Sequence, residues 1–274
     1  MGAEITASRP LAGGSIANVW SLELADGRVL VAKTDASGLA LEGWMLGELA
    51  RVGKLPVPRV FYAVDDLLLL EKLPAGGSLD AATQIHAADL LAGLHGVTGD
   101  FYGLDRDTVI GGLAQPNAPT DDWRAFFAEH RLLHMAGAAA RAGRLPHTLA
   151  GRIEAVAGRL AHWIDAPAAP ALIHGDMWDG NILCAAGPEG ARVTGFVDPA
   201  IYYADPEIEL AFATLFHTFG DPFFGRYGEH RPIAPGFFEI RRDLYNLYPL
   251  LVHVRLFGAG YLAQLGETLD RLGA

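Results

Sequence analysis

The chain is organised by Leu172-Ile-His-Gly-Asp-Met-Trp-Asp-Gly-Asn-Ile-Leu183, followed closely by Val197-Asp-Pro-Ala200. The apolar runs 171–174 and 193–197 predict two short strands flanking a loop that carries His174, Asp176 and Asn181. A second carboxylate, Asp198, sits at the end of the later run. Such a set can orient a hydroxyl, move a proton or hold a hard cation through oxygen. On these residues alone, Asp176 and Asp198 fit an acid/base pair of a hydrolase, ligands of a hydrolytic metal, or a phosphoryl-transfer site. His174, between a buried strand and a glycine, reads as hydrogen-bonded support for the loop, and Asp179 as a solvated loop residue.

Composition narrows the classes. With 274 residues, 51% hydrophobic and 19% charged, the chain is expected to fold around one large core or two smaller ones. A net charge of −11 argues against a general nucleic-acid or anionic-membrane surface, which needs basic patches. No stretch approaches the roughly 20 apolar residues of a membrane helix, and the N-terminus lacks the pattern of a signal peptide. Cys184 is the single cysteine, so no intrachain disulfide can form. The expectation is a soluble cytoplasmic protein.

Upstream of the loop, Leu11-Ala-Gly-Gly-Ser-Ile-Ala-Asn18 reads as a Gly-containing turn before a hairpin of residues 19–24 and 29–33, with Asp26-Gly27 at its tip. Glycines let backbone amides approach phosphate oxygens, which makes Gly13, Gly14 and Ser15 candidate phosphate contacts. Lys33 ends the returning strand, Val-Leu-Val-Ala-Lys; it is one of only three lysines beside eighteen arginines. Residues 39–52 have helical periodicity, and Glu42 near the start of that helix is placed to pair with Lys33; Glu48 is the competing carboxylate. A second hairpin, 60–64 with 67–70, leads into Glu71-Lys-Leu-Pro-Ala-Gly-Gly77, a linker whose backbone suits the edge of a purine.

Beyond the linker the pattern is helical. Asp80 is a helix cap for residues up to about 95, and helices are expected from about 120 and over 149–164. Asp205 is expected to cap a helix with Pro206 in its first turn, and the last helix to run over 237–263. His95 reads as structural. Gly-rich turn, strand Lys, helix Glu, linker, Asp-x-x-x-x-Asn and a following Asp stand in the order kinases use, with Asp176 as base and Asn181 and Asp198 as metal-binding oxygens. Each signal is weak alone, but their order is not accidental. The short gap from Asp198 to Asp205 leaves no room for a long activation loop.

Phe101-Tyr-Gly103, Gln115-Pro-Asn117, Asp122-Trp123, Phe126-Phe127, Arg131-Leu132, His174-Gly-Asp-Met-Trp-Asp-Gly-Asn181, Asp198-Pro-Ala-Ile-Tyr-Tyr203 and Tyr245-Asn-Leu-Tyr248 carry a more specific likeness. With these motifs the chain resembles the fructosamine-3-kinase, or ketosamine-3-kinase, family, a branch of the aminoglycoside-phosphotransferase-like kinases. The likeness runs from about Gly13 to Tyr261. It implies an α+β, protein-kinase-like two-lobe fold: a small antiparallel-sheet N-lobe over residues 1–73 and a larger, mostly helical C-lobe over 74–274.

The resemblance implies ATP- and magnesium-dependent phosphorylation of the 3-hydroxyl of ketosamines, which promotes deglycation of proteins or amines. Carried over position by position, Lys33 matches the phosphate-binding lysine, Glu42 its partner, Asp176 the base, and Asn181 and Asp198 the metal ligands. Trp178 matches the tryptophan that packs on the open-chain sugar, and Glu71 and Leu73 the linker backbone that holds adenine. Glu207 and Glu209 fall at a Glu-rich helix start whose role stays open. Many relatives carry a cysteine in the Gly-rich turn; its absence here implies a monomer without a cysteine-linked dimer. A kinase of another small alcohol or amine, aminoglycoside- or choline-like, and a nucleotide-binding pseudokinase are the alternatives.

Overall fold

The computed structural model describes residues 2–11, 17–34, 37–165, 167–187 and 190–274. Strands β1 (Ile5–Pro10), β2 (Asn18–Leu24) and β3 (Val29–Thr34) form an antiparallel meander. The β2–β3 turn uses Gly27 at φ 85°, a left-handed conformation that glycine adopts without steric cost. After helix α1 (Leu39–Glu48), β4 (Val60–Val64) and β5 (Leu67–Glu71) complete a five-stranded sheet of order β1-β2-β3-β5-β4. Edge strand β1 is mostly exposed and lacks the alternation that announces the others, so the sequence gives no sign of it. Helix α1 lies close on the sheet: a Cβ at Gly43 would stand 2.7 Å from that of Ala63. Leu39, Leu46, Leu68 and Leu70 form the small core between them. Met45 on the same helix joins the larger core, so α1 packs against both.

The rest of the chain is mainly helical. α2 (Ala81–Leu94) is capped as expected, with Asp80 Oδ1 accepting the Thr83 amide at 3.0 Å. A tight hairpin, β6 (Thr108–Ile110) and β7 (Leu113–Gln115), turns through Gly111 and Gly112, both at positive φ. α3 (Trp123–Phe126), capped by Asp122, passes through a wide π turn into α4 (His134–Arg141). α5 (His147–Ala157) follows, then β8 (Ala171–Ile173), β9 (Ile182–Gly187), β10 (Gly190–Phe196) and β11 (Tyr202–Ala204). α6 (Glu207–Leu215), α7 (Asp221–His230), α8 (Arg242–Phe257) and α9 (Leu262–Arg271) end the fold.

Several boundaries differ from the expectation. The two strands expected to flank the loop form as β8 and β10, but β9 intervenes, so the loop lies between β8 and β9; β8 pairs with β11, and β10 with β9. The helix expected over 149–164 stops at Gly158, with a single 3-10 turn, Leu160–His162, beyond it. The helix expected over 237–263 breaks at Gly258, whose φ of 82° ends α8 and lets α9 start in a new direction. Asp205 caps one residue further on, accepting the Glu207 amide at 3.0 Å, with Pro206 as the residue that enters α6. Helix α7 lies in a segment for which no element was expected; Asp221-Pro222 in its first turn is the signal that could have marked it.

Candidate active site

The loop between β8 and β9 is held by backbone pairing at both ends. The Ala200 amide donates to the His174 carbonyl at 2.8 Å, and the Val197 amide to the Asn181 carbonyl at 3.0 Å. Asn181 and Asp198 are thereby brought side by side. Asn181 Nδ2 donates to the Asp176 carbonyl and to Asp176 Oδ2, both at 2.9 Å. Gly175 adopts φ 88° beneath Ala200, and any Cβ there would collide with the Ala200 carbonyl. The glycine between His174 and Asp176 is therefore a steric requirement. Gly180 answers a similar need, because the Trp178 ring lies over it where a side chain would stand.

Lys33 on β3 reaches across to both carboxylates. Its Nζ lies 2.7 Å from Glu42 Oε1 and also bonds Asp198 Oδ1. Burial works to lower the Lys33 pKa, yet Asp198 and Glu42 hold it above the ordinary lysine value. Burial, with Asp198 nearby, raises the Glu42 carboxyl despite the lysine beside it. The competing carboxylate, Glu48, pairs instead with Arg51 at 2.6 Å. Asp198 has φ 55°, a left-handed backbone that costs a non-glycine residue about 1–2 kcal/mol. Its place between Lys33 and Asn181 is kept by the surrounding pairing.

Asp176 is pushed up to about 7 by burial, with Asp198 and Glu209 adding to the rise against the Asn181 hydrogen bond. His174 is fully buried under the loop, and burial lowers its pKa against the pull of Glu209 and Asp198. Glu209 on α6 accepts the amides of Gly175 at 2.6 Å and His174 at 3.2 Å, and meets His95 Nε2 at 2.9 Å. Burial opposes charge on Glu209, but His95, His174 and the Gly175 amide hold its carboxyl below the ordinary value. Glu207 makes a two-pronged pair with Arg241, at 2.6 and 2.7 Å. Of the two glutamates the sequence leaves open, Glu209 supports the loop and Glu207 ties α6 to the turn before α8.

One cavity of roughly 180 Å³ collects Lys33, Glu42, Asp176, Trp178, Asn181 and Asp198. Glu71 and Leu73 do not line it: the Glu71 side chain accepts the Arg59 amide at 3.2 Å, and Leu73 covers Gly195. Gly13, Gly14 and Ser15 lie outside the described residues. The cavity also has walls that sequence reasoning missed, the Gly111-Gly112 tip and Val252, His253, Leu256 and Phe257 on α8. The α8 residues sit in an apolar helix where the pattern reads as core; Gly-Gly before a short apolar run was the available sign of the hairpin. His253 stands 4.9 Å, ring centre to ring centre, from both Phe216 and Tyr261, and Trp178 and Phe257 are exposed at the rim.

A cavity under a β-sheet, with a Lys–Glu pair on one side and an Asp–Asn loop and second Asp on the other, defines a kinase of the protein-kinase-like, α+β two-lobe class. Solved structures agree with the fold: the aminoglycoside phosphotransferase APH(4)-Ia superposes with TM-score 0.65 at 16% identity, over 98% of this chain and 93% of that one. A "putative fructosamine-3-kinase" of Thermobifida fusca superposes with TM-score 0.85 at 34% identity, over 100% and 96% of the two chains. A "probable ketoamine kinase" of Synechocystis is 37% identical over 243 residues, covering 86% of this chain and 77% of that protein. One from Escherichia coli K12 is 33% identical over 279 residues, covering 98% and 93%. The fructosamine kinase family profile matches residues 1–274, and the chain belongs to that family.

Proposed function

We propose that this protein transfers the γ-phosphate of ATP to the 3-hydroxyl of a ketosamine, a fructosamine, ribulosamine or erythrulosamine adduct of an amine. The observation that carries the reading is the convergence of Asp176, Asn181, Asp198, Lys33 and Trp178 on one cavity. In the proposed step the substrate oxygen bonds to the γ-phosphorus, the bond to the β,γ-bridging oxygen breaks, and ADP leaves. The hydroxyl proton passes to the Asp176 carboxylate late in transfer and then to water. Lys33, oriented by Glu42, binds the phosphates, with the amides of Gly13, Gly14 and Ser15 and the linker backbone at Glu71 and Leu73 assigned to the rest of the nucleotide. Trp178 packs on the open-chain sugar.

Among the described residues no cluster of three or more His, Cys, Asp or Glu side chains could hold a metal. A magnesium that keeps several waters needs only one or two protein oxygen ligands, and the side chains of Asn181 and Asp198, which line one cavity, offer that donor set. Held by Asn181 and Asp198, it would supply positive charge against the phosphates. The 3-phosphate destabilises the adduct and frees the amine, which makes deglycation the outcome. We place the protein in the cytoplasm as a monomer with its lobes meeting near residue 73; among the described residues no helix is long and apolar enough to cross a membrane.

The test is phosphate transfer from ATP to ribuloselysine and fructoselysine beside aminoglycosides and choline, with phosphorus NMR locating the new ester. A 3-phosphate on a ketosamine supports the reading. An ester elsewhere, transfer only to the other alcohols, or no transfer at all overturns it.

A further inference from the structure

Gln115, Asn117, Arg131 and Tyr248 are buried polar side chains that phosphate transfer as described does not use. We propose that Gln115 and Tyr248 are positioning residues that hold the Gly111-Gly112 hairpin tip, one wall of the acceptor side of the cavity, in register with Asp176 and Asp198. The inference rests on the ketosamine kinase reading for the identity of the acceptor, but not for the wall itself.

The tip carries no side chains, so the wall it offers is backbone, and its position is set at the root of the hairpin. Thr108 and Gln115 face each other across that root. Gln115 Nε2 donates to Thr108 Oγ1 at 2.8 Å and to the Ala200 carbonyl at 3.1 Å, and Gln115 Oε1 accepts the Tyr248 hydroxyl at 2.8 Å. Its amide is thus fully paired, in the only orientation that gives the Ala200 carbonyl a donor. Ala200 is two residues beyond Asp198, and its amide bonds the His174 carbonyl of the loop that carries Asp176. Tyr248 belongs to α8, which supplies Val252 and His253 to the same cavity. One side chain therefore links the hairpin, the Asp198 segment and α8, three walls that must agree for a hydroxyl to meet Asp176.

The network is braced behind. Asn117 Nδ2 donates to Thr108 Oγ1 at 2.8 Å, and its Oδ1 accepts from the fully buried Arg131 at 2.6 Å. The Arg131 guanidinium lies 3.8 Å from the Tyr202 ring centre. Arg131 Nε finds no hydrogen-bond partner, but the Gln115 amide at the front of the network is paired through both Nε2 and Oε1; such buried pairing restricts its neighbours to one arrangement, and reaction geometry is sensitive to shifts of about 1 Å. A purely structural network would protect the whole lobe equally. A positioning network acts on the acceptor first.

The experiment uses the full chain. Tyr248→Phe removes one hydroxyl and keeps the ring; Gln115→Glu keeps the shape and turns a donor toward the Ala200 carbonyl into an acceptor. Kinetics are taken with ATP and whichever acceptor the wild type turns over fastest, and amide hydrogen exchange is followed over residues 108–115 and 171–183. In Tyr248→Phe, the acceptor KM rises about tenfold while the ATP KM stays within about twofold, the scale of one lost buried hydrogen bond. Gln115→Glu also lowers kcat. Exchange quickens at 108–115 before it does at 171–183. Unchanged acceptor KM and exchange at 108–115, or losses that rise only with the ATP KM and a falling melting temperature, overturn the inference. If the wild type phosphorylates no ketosamine the functional reading fails, and the exchange measurement still decides whether these two residues hold the hairpin.

Discussion

Glu209 Oε1 accepts the Gly175 amide at 2.6 Å, so α6 grips the loop one residue before Asp176. The same carboxylate takes the His174 amide and meets His95, which in turn bonds the Tyr227 hydroxyl at 2.7 Å. Asp176, which lines the cavity, is therefore held by a buried carboxylate that does not line it. Its orientation depends on three elements, α2, α6 and α7.

Replacing Glu209 with Ala leaves two loop amides and His95 without their partner. Leaving a buried donor without its acceptor costs about 1–3 kcal/mol, and thermal unfolding will show it. Glu209→Gln keeps an acceptor for the Gly175 amide but loses the charge opposite His95. It is expected to fold and to lose kcat more than it raises the ATP KM. Equal melting temperatures for Glu209→Ala and wild type would remove the anchor from this account.

Lys33 bonds both Glu42 and Asp198. Lys33→Met should weaken ATP use by about 10- to 100-fold, the scale of losing hydrogen bonds to a charged group. Glu42→Gln keeps one hydrogen-bond acceptor but releases the lysine toward Asp198, so a smaller loss in the same direction is expected. Isothermal titration with ATP and magnesium, and again after chelation, measures both effects. Binding by Lys33→Met as tight as wild type would reassign the phosphate contact.

Trp178 is 38% exposed and lies over Gly180 at the cavity rim. A core tryptophan would be hidden, so truncation should harm the acceptor more than the fold. Trp178→Ala is expected to raise the acceptor KM at least about tenfold, since an aromatic side chain contributes on the order of 1–3 kcal/mol through buried area. The ATP KM should stay near the wild-type value. Loss confined to melting temperature would make Trp178 a packing residue.

The parts of the site that are local in sequence were legible before the structure. Asp176 and Asn181 share one loop, and Lys33 and Glu42 are nine residues apart on elements whose periodicity is plain. What stayed hidden is contact between distant segments. Glu209 reaches Gly175 across 34 residues, and Gln115 reaches Ala200 across 85; no spacing rule connects such pairs. His253 and Phe257 were concealed for another reason, since an apolar helix at the rim of a cavity has the same pattern as one in a core. The breaks at Gly158 and Gly258 were misjudged because a glycine within a helical pattern lowers stability without dictating a stop.

Asp205 offers a pH-dependent test of how α6 is held. Its carboxyl is buried, capping Glu207, accepting the Ala168 amide at 3.2 Å and meeting the Tyr245 hydroxyl at 3.3 Å. Burial, with Glu207 adding to it, raises its pKa to about 6 from an ordinary 3.8. Below the ordinary value both folded and unfolded chains carry the proton, and the folded state suffers no penalty. As pH rises toward 6 the unfolded chain loses its proton while the folded one keeps it, so stability falls; above 6 both are ionised and the loss is complete. A shift of that size corresponds to at most about 3 kcal/mol. Asp205→Asn keeps an acceptor for Glu207 and cannot titrate, so it loses the Ala168 hydrogen bond by a constant amount. The melting-temperature difference between variant and wild type should therefore move in favour of the variant between pH 4 and 6.5 and then level off. A difference that stays flat across that range, or moves the other way, would mean that the hydrogen bonds to Asp205 outweigh its burial and keep the carboxylate ionised throughout.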